Sequence, residues 1–159
     1  MENAKLFREE LLKKNVRNSS ALNLMSLRLS INTMNALSNS EQVKSLEKLV
    51  LADNAISDYG MQAIKNIIQK TGLTHLSLAS NMISGEGLDI FLDDLNNNKT
   101  ITHLDLGVLE TSMRKNSLGI QGAVCIAQLL IRNQTIEHLN VNDNDFGTDG
   151  GECIGVALQ

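Results

Sequence analysis

Residues 46–56, LEKLVLADNAI, decide the fold of this chain because the same frame returns in residues 73–83 as LTHLSLASNMI. In both copies apolar residues occupy the first, fourth, sixth and eleventh positions, and asparagine occupies the ninth. The copies begin at Leu46 and Leu73, and a third begins at Ile101 after nearly the same interval. A frame that returns at a steady interval indicates a repeat protein, whose units stack so that each packs against its neighbours.

Further copies extend the repeat over most of the chain. The copy at Ile101, the fourth in chain order, is interrupted by seven extra residues, and the fifth starts at Ile136. We place the first copy at residues 24–34, which makes the first unit shorter than the others because the second copy already begins at Leu46. The ninth-position asparagines are predicted to form a buried ladder that satisfies backbone groups of neighbouring turns. They are Asn32, Asn54, Asn81, Asn116 and Asn144.

A second pattern follows the frames and predicts helices. Glycine stands four residues after the last apolar position of the frame, at Gly60, Gly87, Gly122 and Gly150. Small or apolar residues follow at offsets of 7, 8 and 12, which fall on one face of an α-helix. Each unit is therefore predicted to contain a short buried strand, an asparagine turn and an amphipathic helix. The first unit lacks room for a full helix, so we expect a short helical or irregular crossing near residues 34–43.

The interval between the frames and the link N-x-T-I-x-H-L, at residues 98–104 and 133–139, resemble the ribonuclease-inhibitor-like class of leucine-rich repeats. The resemblance covers residues 24–159. It implies an α/β leucine-rich-repeat solenoid of about five repeats, with a curved parallel sheet on the concave side and helices on the convex side. The repeats would start near residues 24, 46, 73, 101 and 136. Members such as ribonuclease inhibitor and tropomodulin mostly bind other proteins, so the resemblance implies a protein partner.

The side chains that flank the buried leucines are predicted to point out of the concave sheet, since side chains alternate along a strand. All three histidines of the chain fall in one register of three consecutive strands and form a predicted ladder. The row could make generic partner contacts, bind in a pH-dependent way or hold a metal, although its outer members would lie ~10 Å apart, too far to chelate one ion. The predicted partner-binding residues on this face are Arg28, Lys48, His75, His103, Asp105, His138, Asn140 and Asn142.

The insertion in the fourth repeat, at about residues 108–114, is the least repeat-like part of the chain. We expect it to leave the stack after the fourth strand and to form one partner surface together with the concave strip, because loops on rigid scaffolds often carry recognition residues. The alternative is an insertion folded onto the protein's own surface. The predicted partner-binding residues in it are Val108, Leu109, Met113 and Arg114.

Composition and motifs limit the function. A net charge of −4 with no dense basic cluster argues against nucleic-acid binding, and no apolar run is long enough to cross a membrane. No catalytic constellation, phosphate loop or metal motif is present, so we predict no enzyme activity, no metal and no cofactor. The predicted function is a non-enzymatic protein-recognition scaffold. A structural subunit of a cytoskeletal or ciliary assembly is the main alternative, and a GTPase regulator using Arg114 is the weaker one.

Residues 1–23 are predicted to form an N-terminal helical cap, with residues 24–159 as the repeat domain. Cys125 and Cys153 fall at the same place in successive helices, ~8–10 Å apart, so we expect reduced thiols and a cytoplasmic protein. A secreted bacterial effector acting in a host cytosol would show the same pattern. The last strand is expected to have an open edge, which favours either a fragment of a longer repeat protein or self-association through that edge.

Overall fold

The computed structural model describes residues 20–159, in which short parallel strands alternate with helices. Within these residues five strands form one sheet in chain order: β1 (Ala21–Asn23), β2 (Lys48–Val50), β3 (His75–Ser77), β4 (His103–Asp105) and β5 (His138–Asn140). The α-helices are α1 (Ile31–Ser38), α2 (Met61–Lys70), α3 (Gly85–Asn97), α4 (Gly119–Arg132) and α5 (Gly147–Ala157), with 3-10 helices at Glu41–Ser45 and Asp58–Gly60. The predicted α/β leucine-rich-repeat solenoid is confirmed.

The repeat frame sets the register of the sheet. Lys48 pairs with His75, His75 with His103, and His103 with His138. The next residue of each strand is a leucine that points to the opposite face, and Leu49, Leu76 and Leu104 are buried in the core between sheet and helices. Identical spacing in each repeat thus places identical side chains in rows across the sheet.

The first repeat is shifted by five residues towards the N-terminus from the frame predicted at residues 24–34. Leu22 of β1 pairs with Leu49, so Leu24 corresponds to Leu51 and the first unit is as long as the second. The added length gives room for α1 and the 3-10 helix at Glu41–Ser45. Strand pairing selected this register because it buries Leu22 and Leu24 and also keeps the spacing of the neighbouring repeats.

Because of this shift, the prediction that Asn32 belongs to the asparagine ladder is wrong. Leu27 occupies the corresponding place, and its backbone N–H donates to Oδ1 of Asn54 at 3.1 Å. Asn32 is instead an exposed residue in α1. The full frame fits only the register beginning at Leu24, because the register that the strands adopt has Ser19 at its first position and Leu27 in place of the asparagine.

The other four asparagines lie inside the stack, buried where the chain leaves each strand: Asn54, Asn81, Asn116 and Asn144. Each donates from its side-chain amide to backbone carbonyls of its own and the preceding repeat. Except for the Ala79 carbonyl, which also accepts from the Asp53 N–H, these carbonyls have no backbone partner among the described residues, and the asparagines satisfy them at a buried irregular turn.

The glycines at the start of the helices lie against the last apolar residue of their own frame. A Cβ added at Gly60 would collide with the Ile56 side chain, and one added at Gly122 would collide with Leu118. Most of the apolar helix positions are buried as predicted, but Ile90 and Leu158 are exposed. The close turn therefore requires glycine for space.

The two ends of the described stack differ from its centre. Almost all of the predicted helical cap at residues 1–23 lies outside the described residues, and its last residues form β1 instead. At the other end Leu139 of β5 is only partly buried, since no further repeat within residues 20–159 packs on it. No helix in the described part of the chain is long and apolar enough to cross a membrane.

Candidate functional site

The concave face of β2–β5 holds an open cavity of about 750 Å³. Its floor is the sheet itself, and one side is closed by Leu109 from the insertion. Four strands contribute because the repeat register aligns their outward side chains. The lining residues are Met25, Lys48, Leu49, Val50, Ala52, His75, Leu76, Ser77, His103, Leu104, Asp105, Leu109, Glu137, His138, Leu139 and Asn140.

The three histidines form a continuous stack along this cavity. The ring centroids of His75 and His103 are 4.0 Å apart with an interplanar angle of 16°, and those of His103 and His138 are 4.2 Å apart at 27°. Burial and then the neighbouring imidazoles hold the pKa of His103 below its ordinary value of 6.5, while Glu137 opposes the shift. Protonation of the central ring is therefore disfavoured.

Threonine residues fix the orientation of two rings. Thr74 Oγ1 lies 2.8 Å from Nδ1 of His75 and donates to the Glu47 carbonyl at 3.1 Å. Thr102 repeats the arrangement, 2.9 Å from Nδ1 of His103 and 3.2 Å from the Thr74 carbonyl. The T-H-L link of the sequence thus places a hydroxyl beside each of these imidazoles.

Asp105 is held by its neighbours in the next row of the sheet. Its carboxylate accepts from Ser77 Oγ at 2.8 Å, from Asn140 Nδ2 at 2.9 Å and from the Gly107 N–H at 3.1 Å. With three donors already bound, this carboxylate acts mainly to position the row, and it has little capacity left for a ligand.

Six of the eight residues predicted on the concave face do line the cavity: Lys48, His75, His103, Asp105, His138 and Asn140. The placement of Arg28 was wrong. Arg28 lies beyond β1 and is exposed, with a φ of 52°. The prediction put it in the strand because the first frame was set five residues late. Asn142 is also absent from the lining; its amide brackets the Val108 backbone, with Oδ1 accepting from N–H at 3.1 Å and Nδ2 donating to the carbonyl at 3.3 Å.

The insertion was predicted to leave the stack, but it stays on the protein's surface. We call residues 107–115 the strap, because they cross back over the turns of the second and third repeats. Leu109 N–H donates to Ser80 Oγ at 2.8 Å, and Ser112 Oγ donates to Asp53 Oδ1 at 2.6 Å. Arg114 adds an ion pair with Asp53 at 2.9 Å. The alternative of an insertion folded onto the protein's own surface describes this segment.

The strap residues predicted to bind a partner have different environments. Val108 is 7% exposed and packs inward, so its assignment as a partner contact was wrong. Met113 is 96% exposed at the tip, while Leu109 lines the cavity. Arg114 is engaged by Asp53, which leaves its guanidinium less free than an exposed arginine finger would be.

Asp53 anchors the strap and was not among the predicted site residues. Hydrogen bonds from Ser112 and then Ser26, together with Arg114, hold the pKa of Asp53 below its ordinary 3.8, although burial opposes the shift. The anchoring is therefore complete above pH 3.8 and is lost as the pH falls through the lowered pKa. No local sequence signal could have found it, because its partners Ser26, Ser112 and Arg114 lie 27, 59 and 61 residues away.

We expect Asp53→Asn to loosen the strap. The substitution removes the ion pair, and asparagine tolerates the positive φ of 54° at this turn. Tryptic cleavage after Arg114 or Lys115 should become about tenfold faster, because the strap would open more often. Asp143→Asn is the matched control, since Asp143 lies in a turn with a φ of 55° and its carboxylate contacts only Asn142 among the hydrogen bonds of the described chain. Equal cleavage rates for both variants would contradict the anchoring role.

Most cavity residues beyond the predicted set lie within β2–β5, and three others, Met25, Ala52 and Glu137, lie outside the strands. Met25 was missed because of the misplaced first frame, and Glu137 because it precedes its strand. Among the described residues, no group of three or more histidine, cysteine or acidic side chains is arranged to hold a metal ion.

A leucine-rich-repeat family model matches residues 44–65, 69–89 and 132–155. Among solved structures, the chain is similar to the tropomodulin C-terminal domain of Caenorhabditis elegans, with a TM-score of 0.70, 20% identity and coverage of 95% of this chain and 90% of that one. It is also similar to Leiomodin-1 Actin-Binding Site 2, with a TM-score of 0.66, 21% identity and coverage of 95% and 87%. No curated protein sequence matches the chain significantly. At these identities the structural likeness shows the fold.

Proposed function

We propose that this chain, which has the fold of a leucine-rich-repeat solenoid, is a non-enzymatic scaffold that binds another protein in its concave cavity. The observation that carries the proposal is the open cavity of about 750 Å³, lined by outward side chains of four strands. The rows of the sheet are fixed by backbone pairing, so the surface is formed before a partner arrives and binding requires little further ordering.

The strap forms the second part of the proposed surface. Leu109 closes one side of the cavity, and Asp53 ties the strap to the rest of the stack. A partner segment in the cavity would contact Val50 and Leu109 as apolar groups, with Lys48 and the imidazoles as polar ones. Such a mixture of apolar and polar groups is typical of protein interfaces.

The experiment compares affinity capture from source-cell lysate by three proteins. The first is the wild type, and the second is Lys48→Glu/His138→Glu, which reverses or adds charge on exposed cavity residues. The third is Arg28→Glu/Arg132→Glu, a control whose exposed arginines lie outside the cavity lining. A partner should be kept by the wild type and the control and lost about tenfold by the cavity variant.

The captured protein would then be purified and its Kd measured with all three forms. Equal affinity for the wild type and the cavity variant would place the interface elsewhere and overturn the proposal. Loss in the control alone would have the same consequence, because Arg28 and Arg132 do not belong to the proposed surface.

A cytoskeletal role is the second candidate, and it makes actin the first named protein to test. The support is the structural likeness to a domain whose name identifies it as an actin-binding site. Co-sedimentation with filamentous actin and a binding titration with monomeric actin would decide it. Absence of binding in both assays would remove this candidate and leave the general scaffold intact. The GTPase-regulator alternative loses its support because Arg114 is held by Asp53.

Two further features belong to the proposal. We place the protein in the cytoplasm, since Cys125 and Cys153 are free thiols. Self-association through the edge of β5 stays a prediction, and sedimentation velocity over a range of concentrations would test it.

A further inference from the structure

The cavity changes sign when its histidines take up protons. Among its lining residues, Lys48 is opposed by the carboxylates of Asp105 and Glu137, so with neutral imidazoles the net charge is −1. Protonation of all three rings would bring it to +2. The strap contributes apolar Leu109 to the lining, so Lys48 of β2, Asp105 of β4 and Glu137 beside β5 are the charged groups that face the stack.

The hydrogen bonds of Thr74 and Thr102 bear on which nitrogen of each neutral imidazole carries the hydrogen. A hydroxyl has one proton, and the Thr74 and Thr102 hydroxyls donate theirs to backbone carbonyls. With the hydroxyl protons on the carbonyls, Nδ1 of His75 and of His103 donates to the hydroxyl oxygen beside it. In the neutral tautomer so inferred, Nε2 of each ring carries a lone pair. A lone pair cannot bind a carboxylate, whereas a protonated Nε2 can donate to one.

Because the imidazoles are stacked, a nearby anion favours their uptake of protons. Adjacent centroids are 4.0 and 4.2 Å apart, so two charged rings repel each other, and Lys48 adds to the repulsion. Glu137 offsets part of it from one end of the row. A carboxylate lying along the row would offset the repulsion at each ring that it contacts.

We propose that the histidine stack is a proton-coupled receptor for carboxylates, which makes an acidic segment of a protein partner the ligand of the concave cavity. The inference rests on the proposed function and adds the chemistry of the partner. Asp105 does not compete as an internal carboxylate for the rings, because Ser77, Asn140 and Gly107 already donate to it. Binding and protonation are linked, so each promotes the other by the same factor.

The test uses a hexa-aspartate peptide with blocked termini as the probe and a blocked hexa-asparagine peptide as the matched control. Aspartate stays ionised at pH 6, where an ordinary histidine is mostly protonated. We expect the hexa-aspartate Kd to be about tenfold lower at pH 6 than at pH 8 at constant ionic strength, and titration calorimetry in two buffers should show uptake of about one proton or more. Hexa-asparagine should bind weakly and equally at both pH values.

Two variants separate proton coupling from general charge attraction. His75→Gln/His103→Gln/His138→Gln keeps polar side chains but cannot titrate, so its hexa-aspartate Kd should be equal at the two pH values and proton uptake should vanish. Lys48→Gln should weaken binding at both pH values while the ratio of the two Kd values stays near that of the wild type. Unchanged thermal unfolding would show that both variants are folded.

A wild-type Kd that is independent of pH, an absence of hexa-aspartate binding, or a pH dependence that survives in the triple variant would each overturn the inference. Failure of the proposed function has a different signature. If the captured partner is lost by Lys48→Glu/His138→Glu while hexa-aspartate does not bind the wild type, the scaffold stands and the carboxylate receptor does not.

Discussion

Replacing Asn54 with alanine is expected to lower the free energy of unfolding by about 3–5 kcal/mol, because several buried backbone groups lose their partners at once. Asn54 is fully buried, and its amide both donates to carbonyls and accepts from N–H groups at 2.8–3.2 Å. Alanine leaves the Leu24 carbonyl and the N–H groups of Leu27 and Leu29 without these bonds, whereas the Ala52 carbonyl keeps the Ser26 N–H and the Leu51 carbonyl keeps the Asn81 amide. The partners are the carbonyls of Leu24, Leu51 and Ala52 and the N–H groups of Leu27 and Leu29.

Asn32→Ala is the matched control, because Asn32 was wrongly predicted to belong to the same buried ladder. The sequence pattern gives Asn32 the same role as Asn54, but the structure places it exposed on α1, so the change should stay within about 0.5 kcal/mol. Urea denaturation of both variants measures the difference. Equal destabilisation would show that the first repeat uses the register beginning at residue 24 after all.

Gly85→Ala is expected to destabilise the protein by about 3 kcal/mol, at the upper end of ordinary overpacking. The added Cβ would lie 2.6 Å from the Gly122 nitrogen and 2.7 Å from the Leu118 carbonyl oxygen. Both atoms are backbone at the start of α4, so neither can rotate away as a side-chain tip could. The two helices would have to separate, and the packing between the third and fourth repeats would suffer.

Gly72→Ala is the matched control. A Cβ at Gly72 meets nothing within 4 Å, and the residue has no positive φ. Its substitution should be neutral or stabilising by a few tenths of a kcal/mol, since alanine restricts the unfolded chain. Thermal and urea unfolding of the two variants should therefore separate clearly. A small effect at Gly85 would mean that the helices can move apart at little cost.

The fold was predictable because the repeats share the same spacing of apolar residues that must be buried. Leu49, Leu76 and Leu104 recur at the spacing that one turn of the solenoid imposes, and their burial follows from that spacing alone. The first repeat was misplaced for an equally physical reason. Its leucines match the full frame from Leu24, but the pairing of Leu22 with Leu49 sets a register that has Ser19 and Leu27 at two frame positions.

The site residues whose positions are set by the strand register were predictable. Those whose roles depend on long-range contacts were not. The alignment of His75, His103 and His138 comes directly from strand spacing. The role of Asp53 does not, because Ser112 and Arg114 reach it across two repeats. Val108 illustrates the same limit, since an apolar residue in a loop can face the core or a partner and the sequence does not say which.

The sequence by itself determined the solenoid, its α/β repeat unit and the row of imidazoles, because these depend on periodic spacing, and periodic spacing is local information. Tertiary structure alone decided the register of the first repeat, the path of the strap and the close approach at Gly85. Each of these depends on which surfaces meet when the repeats stack. Such contacts join residues far apart in the chain, and they stabilise the protein only once the neighbouring repeats have packed together.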